Sequence, residues 1–259
     1  SFLGMQPSIY TIDATQKPAR ITKQIVVTRE GVPAQKVDLE GIALDGAGGF
    51  WLASEGRTDR VIPHALYHVN ADGEIEDEVG FPPALMDNEI RFGMEGVTAV
   101  GSSDDLILWM AIQREWRDDP KNTVKLVSYK PSTGEWGAVS YPKAEPETGW
   151  VGLSEITAHG DYVYIVERDN QIAENAKIKK LYRVPMSEMV PAELGSELPV
   201  VTKQEVHDFL ADLMAQNGYV VDKVEGFAID ANGEGFVATD NDGVDDSSGE
   251  TFFWSIGLM

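Results

Sequence analysis

The chain has 259 residues, 43 acidic against 21 basic, and a formal net charge of −22. That balance excludes a nucleic-acid binder, which needs clustered Lys and Arg, and fits either a cation-binding protein or one kept soluble by its charge. Hydrophobic residues make up 42% and cysteine is absent, which excludes a disordered chain, disulfides and thiolate metal sites.

In chain order, β-branched and aromatic residues with polar alternation predict strands at Ser8–Ile12 and Ile21–Val27, joined by the polar segment Asp13–Arg20. They precede any full repeat and read as the tail of one whose head is absent. A unit of four short strands then runs from Asp38 to about Pro82. Its inner strand opens at Asp38-Leu39-Glu40-Gly41, turns through Leu44–Gly49 into Phe50–Glu55, and continues at Ala65–Val69 and Glu74–Gly80. The second unit repeats the order at Glu95–Val100, Leu106–Gln113, Val124–Tyr129 and Trp136–Tyr141. The third has Glu155–Ala158, Tyr162–Glu167 and Lys180–Val184, with an outer strand expected near Leu198–Thr202 after an insertion. A short helix is predicted at Lys203–Met214, with Thr202 and Glu205 as a capping box and Val206, Phe209, Leu210 and Leu213 on one face. The fourth unit offers Glu225–Asp230, Gly235–Asp240 and Thr251–Ile256.

Glu40, Glu95, Glu155 and Glu225 stand 55, 60 and 70 residues apart. Four-stranded units at that spacing are blades of a β-propeller, and the small residues behind the glutamates suit inner strands crowded at an axis. The fold class is therefore all-β, a propeller of four-stranded antiparallel blades with one short helical insertion. About four and a half blades are present. Either the ends combine into a five-bladed ring or the chain belongs to something larger, and the abrupt start favours the second. Residues 1–259 are read as a single domain lacking an N-terminal blade or domain. No run approaches the roughly 18 apolar residues of a membrane span. Ser1–Met5 lacks the basic and apolar parts of a signal peptide, so a mature or trimmed product is expected.

Each glutamate opens an innermost strand, so Glu40, Glu95, Glu155 and Glu225 are expected to ring one mouth of the channel. The partner strands bring Glu55, Gln113, Glu167 and Asp240 to the same end. So many carboxylates raise one another's pKa or recruit a cation, and Ca²⁺, a hard ion taking oxygen ligands, suits them best. Zn²⁺ is disfavoured, because His64, His68, His159 and His207 form no ligand spacing. For a single glutamate, accepting backbone N–H groups that fix blade register is an equal reading. Basic residues accompany the motifs: Arg57, Arg60, Arg91, Arg114, Arg168 and Lys223. They either bind a phosphate or carboxylate or pair with the adjacent acids. Asp240–Asp246 reads as a second cation site or as a solvated acidic turn.

The combined set Asp38-x-Glu40-Gly41, Trp51-x-x-Ser54-Glu55, Phe92-Gly93-x-Glu95-Gly96, Gly152-Leu153-Ser154-Glu155, Val166-Glu167-Arg168-Asp169, Lys223-Val224-Glu225-Gly226 and Asp240-Asn241 resembles the phytase-like, esterase-like propeller family over residues 38–257. It looks most similar to the C-terminal part of large bacterial proteins often labelled alkaline phosphatase. The resemblance implies an exported hydrolase, periplasmic or extracellular, acting on a small anionic ester with calcium. In that reading Glu40, Glu95, Glu155, Glu225 and Asp240 hold metal, Arg60, Arg91, Arg168 and Lys223 bind substrate, and Glu55 or Glu167 is the general base. A non-catalytic binding propeller and a lactonase-like enzyme are the alternatives. The lactonase needs an apolar substrate wall, for which Trp51, Trp109 and Phe92 are candidates.

Overall fold

The glutamate-headed repeats fold as successive antiparallel sheets of a four-bladed β-propeller arrangement in a computed structural model that describes residues 6–215, 220–221, 223–240 and 251–259. β1 (Ser8–Asp13) and β2 (Arg20–Val26) form a separate hairpin, and β3 (Thr28–Arg29) with β4 (Val32–Pro33) a minimal ladder. Blade 1 is β5 (Leu39–Leu44), β6 (Phe50–Ser54), β7 (Ala65–Val69) and β8 (Ile75–Gly80), paired in that order. A single helical turn, α1 (Pro83–Met86), leads to blade 2: β9 (Met94–Val100), β10 (Ile107–Ile112), β11 (Thr123–Lys130) and β12 (Glu135–Pro142). Blade 3 begins with β13 (Val151–His159), β14 (Tyr162–Asp169) and β15 (Lys179–Pro185). The chain then detours through β16 (Ala192–Glu193) before the blade's outer strand, β17 (Gln204–Asp208). After α2 (Leu210–Ala215), blade 4 consists of β18 (Val224–Ile229), β19 (Glu234–Thr239) and β20 (Phe253–Leu258).

Two predicted elements change place. Residues Leu198–Thr202 do not edge blade 3; the chain there runs beside blade 2, where Ser140 N–H donates to Pro199 O at 2.8 Å and Val201 N–H to Ser140 O at 3.0 Å. The edge of blade 3 is instead β17, the first half of the segment read as helix. The capping box is not made: the Thr202 N–H and hydroxyl both bond Glu188, and Glu205 pairs with Lys180 at 2.8 Å. Unpaired groups on β15 offered ladder partners, Leu181 to His207 and Arg183 to Gln204, and this long-range pairing overrode the local helical pattern. Helix survives only at α2.

Three cores lie between consecutive blades. Trp51, Leu66, Met94 and Met110 fill the first, Trp109, Leu126, Tyr141 and Ile165 the second, and Val166, Phe209, Phe227 and Val237 the third. The inner strands approach closely, as the small residues require. A Cβ on Gly41 would stand 2.7 Å from the backbone of Gly96, and one on Gly96 would meet Ile156 N at 2.8 Å. The outward face of blade 1 is partly covered by Val27, Ala34 and Val37, leaving Ile42 and Leu44 exposed. Among the described residues no helix is long and apolar enough to cross a membrane.

Candidate active site at the propeller mouth

A β-bulge at the start of the inner strand aims the motif side chain into the mouth, since the extra residue leaves the ladder. In blade 1, Leu39 and Gly41 pair with Ser54 and Ala53, so Glu40 is the extra residue. In blade 2, Met94 and Gly96 pair with Ile112 and Ala111, leaving Glu95; in blade 4, Val224 and Gly226 pair with Thr239 and Ala238, leaving Glu225. Blade 3 departs. Leu153 and Glu155 pair with Glu167 and Val166, so the bulged residue is Ser154. Glu155 occupies the glycine position of the other copies. Its carboxylate lies against Gly96 and accepts the Ile156 N–H at 2.8 Å, and burial raises its pKa well above the usual range.

The same register fixes two further positions per blade. The Glu55 N–H donates to Asp38 O, Gln113 to Gly93 O and Asp240 to Lys223 O, at 2.9, 2.9 and 3.0 Å, while Arg168 pairs with Gly152. Each blade thus brings three side-chain positions to the mouth. Blade 1 fills them with Asp38, Glu40 and Glu55; blade 2 with Gly93, Glu95 and Gln113; blade 3 with Gly152, Ser154 and Arg168; blade 4 with Lys223, Glu225 and Asp240.

Blade 1 alone supplies three carboxylates, and they converge: one oxygen from each of Asp38, Glu40 and Glu55 lies within 4.8 Å of the others. The mouth desolvates Glu40, and Glu225, Asp38 and Glu55 repel its charge, so its pKa is pushed up to about 8. Glu55 rises to about 7 through burial and Asp38, against the pull of Arg91, Arg57 and Lys223. Burial, then Glu225, Glu40 and Glu55, holds Glu95 well above the carboxylate range. Glu225 is raised by burial despite Arg168, whose Nη2 lies 2.5 Å from it. Gln113 Nε2 bonds Glu95, while the buried Gln113 Oε1 has no donor among the described residues. Asp38, Glu40 and Glu55 thus form an acidic group of hard oxygen ligands that could hold a metal ion.

Not every predicted residue joins this group. Glu167 is fully buried between blades 2 and 3, where it accepts the Tyr141 hydroxyl at 2.6 Å, the Ala144 N–H at 2.9 Å and a Lys203 ammonium proton. Arg60 is exposed on the Thr58–Arg60 turn. Lys223 Nζ lies 3.8 Å from Glu225 and 3.7 Å from Asp240. Of the apolar wall, Trp51 and Trp109 are buried in the interblade cores; Phe92 stands beside Trp150, with ring centroids 6.1 Å apart. Of the predicted Asp240–Asp246 loop, all but Asp240 lies outside the described residues. Sequence reasoning assigned no role to Asp38, although it opens the first motif, nor to Ser154 and Trp150, which carry no repeat signal.

No curated protein matches the chain. Among solved structures, "Drosophila Semaphorin 1a, extracellular domains 1-2" is similar at 10% identity and a TM-score of 0.35, over 87% of this chain and 54% of that one, so the chain spans about half its length. The family model described as "Phytase-like: Esterase-like activity of phytase" matches residues 2–243, and the chain belongs to that family.

Proposed function

We propose that the protein hydrolyses esters at the propeller mouth, with Ca²⁺ held by Asp38, Glu40 and Glu55 and phosphoric esters as the preferred class. The observation that carries this is the convergence of three carboxylate oxygens within 4.8 Å on one blade of a chain from an esterase-like family. A bound calcium ion supplies Lewis-acid polarisation of the ester and of water. The protein's own groups do the rest. A carboxylate oxygen of Glu55 left free of the ion takes a proton from the attacking water and returns it to the leaving alcohol oxygen; one ester bond breaks and one bond to the water oxygen forms. Glu167 is left out of that role because both its oxygens are bonded between the blades. Arg91, exposed beside Glu55, offsets the charge of an anionic substrate. The same reading puts the protein in the periplasm or outside the cell, where calcium is plentiful, within a larger bacterial protein of the kind labelled alkaline phosphatase.

The test is turnover of a chromogenic phosphomonoester and a carboxylic ester after EDTA and again after Ca²⁺, in wild type and in Glu40→Gln and Glu55→Gln. Calcium-restored phosphoester turnover, reduced roughly 10²–10⁴-fold in Glu55→Gln, is expected. Turnover of the carboxylic ester alone would make the enzyme lactonase-like. Calcium-dependent stabilisation without turnover of either would make the mouth a binding site only.

A further inference from the structure

The cations around the mouth differ in what occupies them. Arg168 bonds Glu225, Lys223 lies near Glu225 and Asp240, and Arg57 reaches Asp59 at 3.5 Å. Arg114 has no carboxylate or hydrogen-bond acceptor on its guanidinium among the described residues. It lies over two rings instead, 4.7 Å from the centroid of Phe92 and 4.8 Å from that of Trp150. Arg91 lies 5.2 Å from Phe92 and Arg168 5.4 Å from Trp150, so cations and rings alternate in an arc. One end of the arc acts on Glu55 and the other bonds Glu225. Arg114 follows directly after Gln113, whose amide bonds Glu95.

The fold commits backbone strain to this arc. Arg91 and Phe92 are consecutive non-glycine residues in the left-handed region, at φ 78° and 58°, a conformation that L side chains rarely adopt. The buried Trp116 holds them there, its indole N–H directed at Arg91 O and Phe92 O at 3.0 and 3.1 Å. On the other side, a Cβ on Gly152 would stand 2.9 Å from the Trp150 ring, so the glycine leaves room for that ring. Aromatic faces hold a guanidinium by its plane and leave its N–H edges uncommitted. In a chain with twice as many acids as bases, such a cation is conspicuous. Burial also pulls its pKa down, a cost that an arriving anion would offset.

We propose that Arg114, presented by Phe92 and Trp150, binds an oxyanion of the substrate, carboxylate or phosphate, beside the bond that is cut. The ligand's being a substrate rests on the hydrolase reading above; the anion site itself does not. Isothermal titration of calcium-loaded protein with succinate and with inorganic phosphate, in wild type, Arg114→Gln, Arg114→Lys and the hairpin control Arg20→Gln, tests it. At least one probe binds wild type and the control equally, and which of the two binds identifies the oxyanion. Its dissociation constant weakens at least tenfold in Arg114→Gln and less in Arg114→Lys, which keeps the charge but loses the planar fork. Equal affinity in wild type and Arg114→Gln, or no binding of either probe, overturns the proposal. Should Arg114→Gln fail to fold, Arg114→Lys carries the same comparison. The two readings separate in a parallel assay, the ratio of kcat/KM for 4-nitrophenyl hydrogen succinate to that for 4-nitrophenyl acetate. Turnover with a ratio unmoved by Arg114→Gln keeps the hydrolase and removes the subsite as a substrate site. Arg114-dependent probe binding without turnover of these esters or of the chromogenic phosphomonoester keeps the anion site and removes the hydrolase.

Discussion

Blades 1 and 3 present the same three backbone positions to the mouth and fill them with opposite chemistry. Blade 1 offers Asp38, Glu40 and Glu55, whose oxygens converge; blade 3 offers Gly152, Ser154 and Arg168, with Arg168 paired to Glu225 and Ser154 Oγ donating to Val224 O at 2.7 Å. A propeller repeats its backbone, so a site arises where the repeat is varied. In the carboxylate wall burial and mutual repulsion outweigh the pull of Arg91, Arg57 and Lys223 on Glu55. The cationic wall already has its counter-charge. Removing a charge from the two walls should therefore act with opposite sign on the stability of the metal-free protein.

The largest effect is expected on blade 3. Arg168 is 2% exposed, and Arg168→Gln leaves Glu225 buried without its guanidinium, which costs about 3–5 kcal/mol in urea unfolding with EDTA present. Glu55→Gln under the same conditions should leave the midpoint where it was or raise it. A loss in Glu55→Gln as large as in Arg168→Gln would abolish the contrast between the walls.

The next effect is on pH. Glu40, near 8, and Glu55, near 7, hold protons in the folded chain at pH values where the unfolded chain has released them. The folded state then binds more protons, and stability falls as pH rises from the unfolded carboxylate pKa, about 4.5, through about 8. In EDTA the urea midpoint should be lower at pH 8.5 than at pH 5.5. Glu40→Gln should flatten that fall, and excess Ca²⁺ should remove most of it, because the cation stabilises the ionised carboxylates. A slope unchanged by Glu40→Gln would assign the fall to the chain's net charge of −22 rather than to the mouth.

Much of this was legible in the sequence, and the misplaced glutamates share one cause. The repeated Glu-Gly openings located the inner strands; Glu40, Glu95 and Glu225 were placed from that repeat and Glu55 from the pairing of its strand. Glu155 and Glu167 look like further members of the same series. They are not, because blade 3 is shifted by one residue: its bulge falls on Ser154, so Glu155 takes a glycine's place and Glu167 takes the place of Ser54. Glu55 lies one residue beyond β6, whereas Glu167 lies inside the ladder, paired with Leu153 and Lys180. Side chains alternate along a strand, so one residue exchanges the mouth for the interblade core. Bulge position is a matter of cross-strand register, and a motif written along one strand does not contain it. The β17 segment fails for a related reason, its pairing with β15 being invisible to a helical periodicity.

The smallest effect tests whether crowding at the axis is what selects the glycines. Gly41 and Gly226 hold the same place in blades 1 and 4 and differ in what faces them. A methyl group on Gly41 meets the Gly96 backbone at 2.7 Å, and backbone between two packed inner strands has nowhere to go. Gly41→Ala should therefore cost about 1–3 kcal/mol by overpacking. A methyl group on Gly226 meets Ala238 of its own blade, with Cβ at 3.1 Å and no other described atom nearer than 3.8 Å. The tight contact opposes the roughly 0.4–1 kcal/mol that Gly→Ala gains by restricting the unfolded chain, so Gly226→Ala should fall within about 1 kcal/mol of wild type. Equal losses at both positions in urea unfolding would mean that the glycines serve the bulge they follow, since both stand directly after a bulged glutamate, and not the spacing between blades.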